Sequence, residues 1–161
     1  MARALGVECA KDARFDPDFV LCSNSARSRE TVEALARANG RVSENAAYLG
    51  SLYHFASLDG QMTTHLKELV QAMTIGENGK DVRTIMVVGH NKGMEEATSE
   101  LCGREISLQV ATAALLEKTF DCADDDSCDE RSPWRAVCEC EENWTFVALA
   151  TPDGILQSTA R

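Results

Sequence analysis

Thr84-Ile85-Met86-Val87-Val88-Gly89-His90-Asn91-Lys92-Gly93 is the stretch on which the reading of this chain turns. Its first half is a continuous apolar run, the pattern of a strand buried on both faces of a parallel sheet. Its second half is a glycine, a histidine and a polar turn that opens a helix running to about Cys102. The same order of strand, polar turn and helix stands upstream. Phe19-Val20-Leu21-Cys22 is a short apolar run, and Ser23 follows it in a position to cap a helix. That helix runs from about Ala26 to Ala38 with Val32, Leu35 and Ala36 on its buried side, and Gly40 is a good stop.

The rest of the chain fills in around these two units. Residues 1–13 read as a helix with Leu5, Cys9 and Ala10 as its stripe, and Asp16-Pro17-Asp18 is a turn. Residues 43–57 stay open: Tyr48-Leu49 and Leu52-Tyr53 fit a strand, a turn or a crossing segment. Asp59 caps a helix to about Met73, with Met62, Leu66, Leu69 and Val70 on one stripe. Glu77-Asn78-Gly79-Lys80 is a loop, and Ala113-Ala114-Leu115-Leu116-Glu117 is another strand. Residues 121–142 form an acidic, cysteine-containing loop, and Thr145-Phe146-Val147-Ala148-Leu149 is a final strand. Strands alternating with helices predict an α/β sandwich with a mostly parallel sheet, built as a single domain over residues 1–161.

Composition narrows the function classes. The chain has 161 residues, 44% of them hydrophobic, which is enough for a core. It carries 26 acidic and 16 basic residues, for a net charge of −10. A surface that negative repels a phosphate backbone and anionic lipid, so general nucleic-acid binding and membrane docking are excluded as expectations. No run approaches the roughly 18 apolar residues of a membrane helix. The first residues lack the apolar stretch of a signal peptide and are too acidic for a transit peptide, so a cytoplasmic protein is expected. Cys9, Cys22 and Cys102 read as small buried hydrophobes, and reduced thiols are expected throughout.

Chemistry collects at the two strand ends. Ser23-Asn24-Ser25-Ala26-Arg27-Ser28-Arg29-Glu30-Thr31 and Gly89-His90-Asn91-Lys92-Gly93 each place a helix N-terminus, with its free amides and positive dipole, beyond a strand. Ligands of open α/β sheets bind at such carboxyl ends. Arg27 offers a planar fork suited to a phosphate or carboxylate. Ser23, Asn91 and Gly93 add further phosphate-binding groups, and His90 follows a glycine that lets backbone approach a ligand. The plainer alternatives are a serine that only caps, a histidine that is structural, and Arg27 and Arg29 paired with Glu30 or Glu33.

Cys122, Cys128, Cys138 and Cys140 raise a zinc reading, but spacings of five and one intervening residues fit zinc poorly and no histidine is near. Asp124-Asp125-Asp126 lacks the ligand pattern of a calcium loop. Trp134 and Trp144 are expected to pack this segment back onto the domain or to sit at its edge.

The two strand-end motifs, in this order and spacing, resemble the histidine phosphatase superfamily, the phosphoglycerate-mutase-like fold. Pro17-Asp18-Phe19-Val20-Leu21-Cys22-Ser23 before the Ser23–Thr31 motif looks like the SixA-type phosphohistidine phosphatases. Leu52-Tyr53 and Thr112-Ala113-Ala114 also stand where that branch has similar residues, so the resemblance covers about residues 1 to 118. It implies a three-layer α/β/α sandwich and a phosphatase acting on a phosphorylated protein, or on a small phosphorylated substrate. Arg27 matches the second arginine of the family and His90 its second histidine, as catalytic residues. No metal or organic cofactor is implied.

One part of the family pattern is missing. The nucleophilic histidine of the family sits in Arg-His-Gly or Arg-His-Ala at the end of a first, interior strand, and no such motif occurs here. Neither His54 nor His65 follows an arginine or ends a buried strand. The favoured expectation is an N-terminally truncated sequence, inactive as it stands, and the alternative is a genuine short chain that has lost catalysis. Glu44, with Asp59 further on, is the only candidate general acid after the Arg27 helix, and neither has a family context. That favours phosphohistidine, whose imidazole leaves easily, over a sugar phosphate. Two rivals remain: a non-catalytic phosphate-binding interaction protein of the same fold, and a zinc-stabilised adaptor.

Overall fold

The computed structural model describes residues 1–55, 60–75, 81–119 and 133–157. Strand β1 (Phe19–Ser23) is the centre of a parallel sheet. Its neighbours are β2 (Ala46–Leu49) and β3 (Ile85–Val88), in the order β2-β1-β3. Cys22 stands beside Tyr48 on one side and Val88 on the other. Paired on both edges and covered on both faces, Val20, Leu21 and Cys22 are fully buried, as their unalternated apolar sequence requires.

Successive strand residues point to opposite faces, and the core divides accordingly. Val20 and Cys22 join Leu5 and Cys9 of α1 (Ala2–Cys9) and Val32 and Leu35 of α2 (Ala26–Ala36). Leu21 faces the other way. It meets Leu52 of α4 (Ser51–Phe55), Met62 and Val70 of α5 (Met62–Met73) and Ala97 of α6 (Asn91–Cys102). Between α2 and β2 lies one further turn of helix, α3 (Arg41–Glu44).

The remaining strands form a separate antiparallel sheet. β4 (Ala113–Glu117), β5 (Thr145–Thr151) and β6 (Gly154–Gln157) follow the order β4-β5-β6. The expected single, mostly parallel sheet is therefore two sheets among the described residues, one parallel and one antiparallel. They share a core: Met86 and Val88 of β3 lie in one hydrophobic cluster with Ala113 and Leu115 of β4 and Ala148 and Ala150 of β5. β3 and β4 are each the edge strand of their own sheet.

That arrangement corrects the expectation that residues 84–88 form a strand buried on both faces. Ile85, Met86 and Val87 are only half-buried, because an apolar run reports cover on the faces and says nothing of pairing at the edges. β1 takes the central place instead. Asp18 ties the two strands at their start: its carboxylate accepts the Arg83 and Thr84 amides at 2.9 and 3.0 Å.

Smaller differences follow local chemistry. Ser25, not Ser23, caps α2, its hydroxyl accepting the Ser28 amide at 3.3 Å. Helix α1 ends at Cys9, leaving Ala10 exposed, and a 3-10 turn, Ala13–Phe15, follows, capped by Asp12. Gly40 is not a left-handed stop, since its φ is −57° and α3 starts there. Part of the expected acidic loop is helix α7 (Pro133–Glu139), which buries Val137 and Cys138. Trp134 of this helix donates its indole N–H to the Val82 carbonyl at 2.8 Å and stacks on Trp144 at 6.3 Å between ring centroids. Asp59, the 77–80 loop, Cys122, Asp124–Asp126 and Cys128 lie outside the described residues. Among the described residues no helix is long and apolar enough to cross a membrane.

Candidate functional site

Because β1, β2 and β3 run parallel, their carboxyl ends share one edge of the sheet. Each end passes into a helix: Ser23-Asn24-Ser25 into α2, Gly50 into α4, and Gly89-His90 into α6. The junctions touch. The Asn24 amide donates to the Leu49 carbonyl at 3.2 Å. A Cβ on Gly50 would stand 3.3 Å from the Asn24 side-chain amide, so the glycine leaves room for that side chain. Tyr53 of α4 meets His90 edge-to-face, with ring centroids 5.1 Å apart and an interplanar angle of 67°.

His90 occupies the N-cap position of α6 in extended conformation, and its side chain does not cap the helix. Its Nε2 is buried and has no hydrogen-bond partner among the described residues. A buried polar atom left without a partner costs free energy unless something comes to it. Beside it lie the first-turn amides of α6, which an α-helix cannot satisfy internally. Two helix N-termini, α2 and α6, thus converge on adjacent strand ends and present positive potential in a chain of net charge −10.

The arginines separate cleanly. Arg29 donates its Nε–H to the Asn24 carbonyl at 3.2 Å and lays its guanidinium 4.6 Å from the Tyr48 ring centroid. Arg27 is exposed on the first turn of α2 and has no ion pair or side-chain hydrogen bond among the described residues. The pairing of either with Glu30 or Glu33 is not observed among the described residues. Arg27 is therefore the fork left open to an anion.

The other expected ligands contribute less directly. Ser23 is fully buried, and its Oγ takes the Ser25 amide in a long contact of 3.4 Å. Its hydroxyl shapes the turn instead of facing solvent. The Asn91 side chain donates to the Leu108 carbonyl at 2.8 Å, so what Asn91 offers the site is its backbone amide. Gly93 is buried within the same first turn. Glu44 precedes β2 and so stands at the amino end of the strands, on the edge opposite Arg27 and His90.

Three buried thiols are poor nucleophiles. Burial pushes Cys9, Cys22 and Cys138 up to about 11, so each holds its proton at neutral pH. Cys22, next to the site, donates its S–H to the Ser23 carbonyl at 3.1 Å. His65 is buried on α5 and His54 lies on α4 against Tyr53. Neither ends a strand. Among the described residues no group of three or more His, Cys, Asp or Glu is placed to hold a metal ion.

Sequence reasoning missed Tyr53 as a member of this site. Its signal was an aromatic residue just after a strand end, indistinguishable in sequence from a core position until α4 folds over the β3 junction.

The chain's structural neighbours are the SixA phosphohistidine phosphatases of the histidine phosphatase superfamily. The protein histidine phosphatase SixA solved with tungstate superposes with a TM-score of 0.62 at 19% identity, over 94% of this chain and 79% of that one. At that identity the likeness is one of fold. SixA of Agrobacterium tumefaciens superposes with a TM-score of 0.50 at 25% identity, over 73% and 72% of the two chains. In sequence the chain is 38% identical over 102 residues to an uncharacterized chloroplastic protein of Arabidopsis thaliana, covering 63% of this chain. It spans 45% of the length of that relative. No protein-family model matches the chain.

Proposed function

We propose that this chain carries the phosphoryl-binding half of a SixA-like phosphohistidine phosphatase site. Arg27 and His90 hold the phosphoryl oxygens, the Asn91 and Gly93 amides assist, and Ser23 shapes the turn that aims Arg27. The observation that carries this reading is the buried His90 Nε2, without a partner among the described residues, at the same carboxyl edge of the sheet as the exposed Arg27. A transferring phosphoryl group spreads charge over three equatorial oxygens. An arginine, an imidazole and helix amides are the donors that charge calls for.

The sequence holds no Arg-His-Gly or Arg-His-Ala, so in this reading the chain alone binds but does not turn over. The split sheet supports a further strand in the complete site. Among the described residues β3 and β4 each offer an unpaired edge to a shared core, and a strand between them would join the two sheets into the single layer of a three-layer sandwich. Unpaired strand edges are templates for such pairing. The substrate class in this reading is a phosphorylated protein histidine, whose imidazole leaves without a carboxylic acid to protonate it, and Glu44 stands at the opposite edge of the sheet.

Calorimetry with tungstate or inorganic phosphate tests the site. The 161-residue chain is expected to bind, and Arg27→Ala and His90→Ala are each expected to abolish binding. Binding retained in both variants would sink the assignment. Phosphate release from phosphohistidine by the chain alone would overturn the division between binding and turnover.

A further inference from the structure

We infer that Tyr53 is a positioning residue for His90, an inference that rests on the oxyanion reading above. The His90 imidazole makes no hydrogen bond among the described residues, and the Tyr53 ring is the directed contact the structure gives it. A histidine ring turns about a bond with broad, shallow torsional preference. Without a polar partner on either nitrogen, what selects its orientation is the surface it rests against. Tyr53 supplies that surface edge-to-face at 5.1 Å and 67°, within the geometry that aromatic pairs favour.

The placement of Tyr53 fits this use better than a core role. The residue is 51% exposed, while its neighbour Leu52 is fully buried and anchors α4 in the core beneath. A half-exposed ring held against the histidine by a buried anchor fixes the imidazole plane while leaving Nε2 without a protein partner among the described residues. Its phenol is not required for that, because the contact is made by the ring.

The test compares the wild-type chain with Tyr53→Phe and Tyr53→Leu. Two readouts are taken: the His90 ring-proton resonances by NMR, and tungstate affinity by calorimetry. Tyr53→Phe is expected to keep the ring-current displacement of the His90 protons and to bind tungstate within about twofold of wild type. Tyr53→Leu is expected to lose that displacement and to bind about two- to tenfold more weakly, the range an aromatic pair of this kind supports. A Tyr53→Leu chain that binds as wild type overturns the positioning role, as does a Tyr53→Phe chain weakened as much as Tyr53→Leu. If wild type binds and His90→Ala does not while Tyr53→Leu is unaffected, only this inference fails. If wild type takes no tungstate, the oxyanion site falls, and the positioning role falls with it.

Discussion

Asn91 donates its side-chain amide to the carbonyl of Leu108 at 2.8 Å. Glu95, one turn further along α6, accepts the Leu108 amide at 2.7 Å. Both polar groups of one loop residue are therefore held by the helix that His90 opens. The segment so held leads into β4 through Ala111, whose φ of +57° is rare for a residue with a Cβ. One fastener thus fixes the start of the antiparallel sheet to the site edge of the parallel one. This is why the Asn91 side chain is unavailable to a ligand and what it leaves to the site is its backbone amide, as expected.

Replacing Asn91 with alanine leaves the part-buried Leu108 carbonyl without its donor. The expected loss is about 1 kcal/mol of folding free energy, read as a lower urea midpoint with unchanged slope. An unchanged midpoint would show that water replaces the amide without cost and that the fastener is not structural.

Gly103 ends α6 in the left-handed region, with φ +62°. A Cβ there would collide with the side-chain amide of Asn143. Gly103→Ala is expected to destabilise the chain by about 2 kcal/mol, from the left-handed penalty and the collision together. Adding Asn143→Ala should recover the part due to the collision and leave the backbone part. Full recovery in the double variant would mean that the backbone conformation adapts.

Strands 19–23, 85–88 and 113–117 and helices α2 and α6 were legible because apolar runs and helix starts are local features. Arg27 and His90 were legible for the same reason, each standing at a strand–helix junction. Which strand is central was not legible, because Val20 and Val87 differ in what pairs beside them, not in their own sequence. Nor was the difference between Arg27 and Arg29. It is decided by Tyr48 on β2, which reaches Arg29 only after β2 pairs with β1. Tyr53 is the same case, joined to His90 across a gap in sequence that only the parallel pairing closes. Of the four cysteines behind the zinc alternative, Cys138 is buried in α7 among the side chains of the core, and Cys122 and Cys128 lie outside the described residues.

The buried thiols set a second pattern. Cys9, Cys22 and Cys138 are pushed up to about 11 by burial, with Glu8 and Asp12 adding to the effect at Cys9. Cys102 is raised by burial as well, while Cys140 is only half-buried. At pH 8 iodoacetamide is expected to label Cys140 in the native chain and these four only after unfolding. The sign of the alkaline effect follows. The folded chain holds these protons where the unfolded chain has lost them, so stability is fully present below about 9 and falls as pH rises toward 11. A urea midpoint that does not drop between pH 8 and pH 10.5 would contradict this.

Hydrogen exchange offers a direct view of the sheet edges. β1 is paired on both sides and its residues Val20, Leu21 and Cys22 are fully buried. Their amides should exchange only through global unfolding, the slowest class in a folded domain. Among the described residues β3 pairs with β1 alone, so alternate amides between Ile85 and Val88 face away from a described partner strand. Those amides should exchange orders of magnitude faster than their neighbours in the same strand, and β4 should show the same alternation on the side away from β5. Uniform slow exchange along β3 in the 161-residue chain would mean that its outer edge is already covered, and the proposal of a further strand between the two sheets would be withdrawn. Alternating exchange that becomes uniform when an N-terminal extension bearing an apolar strand is added would place that strand at this edge, beside His90.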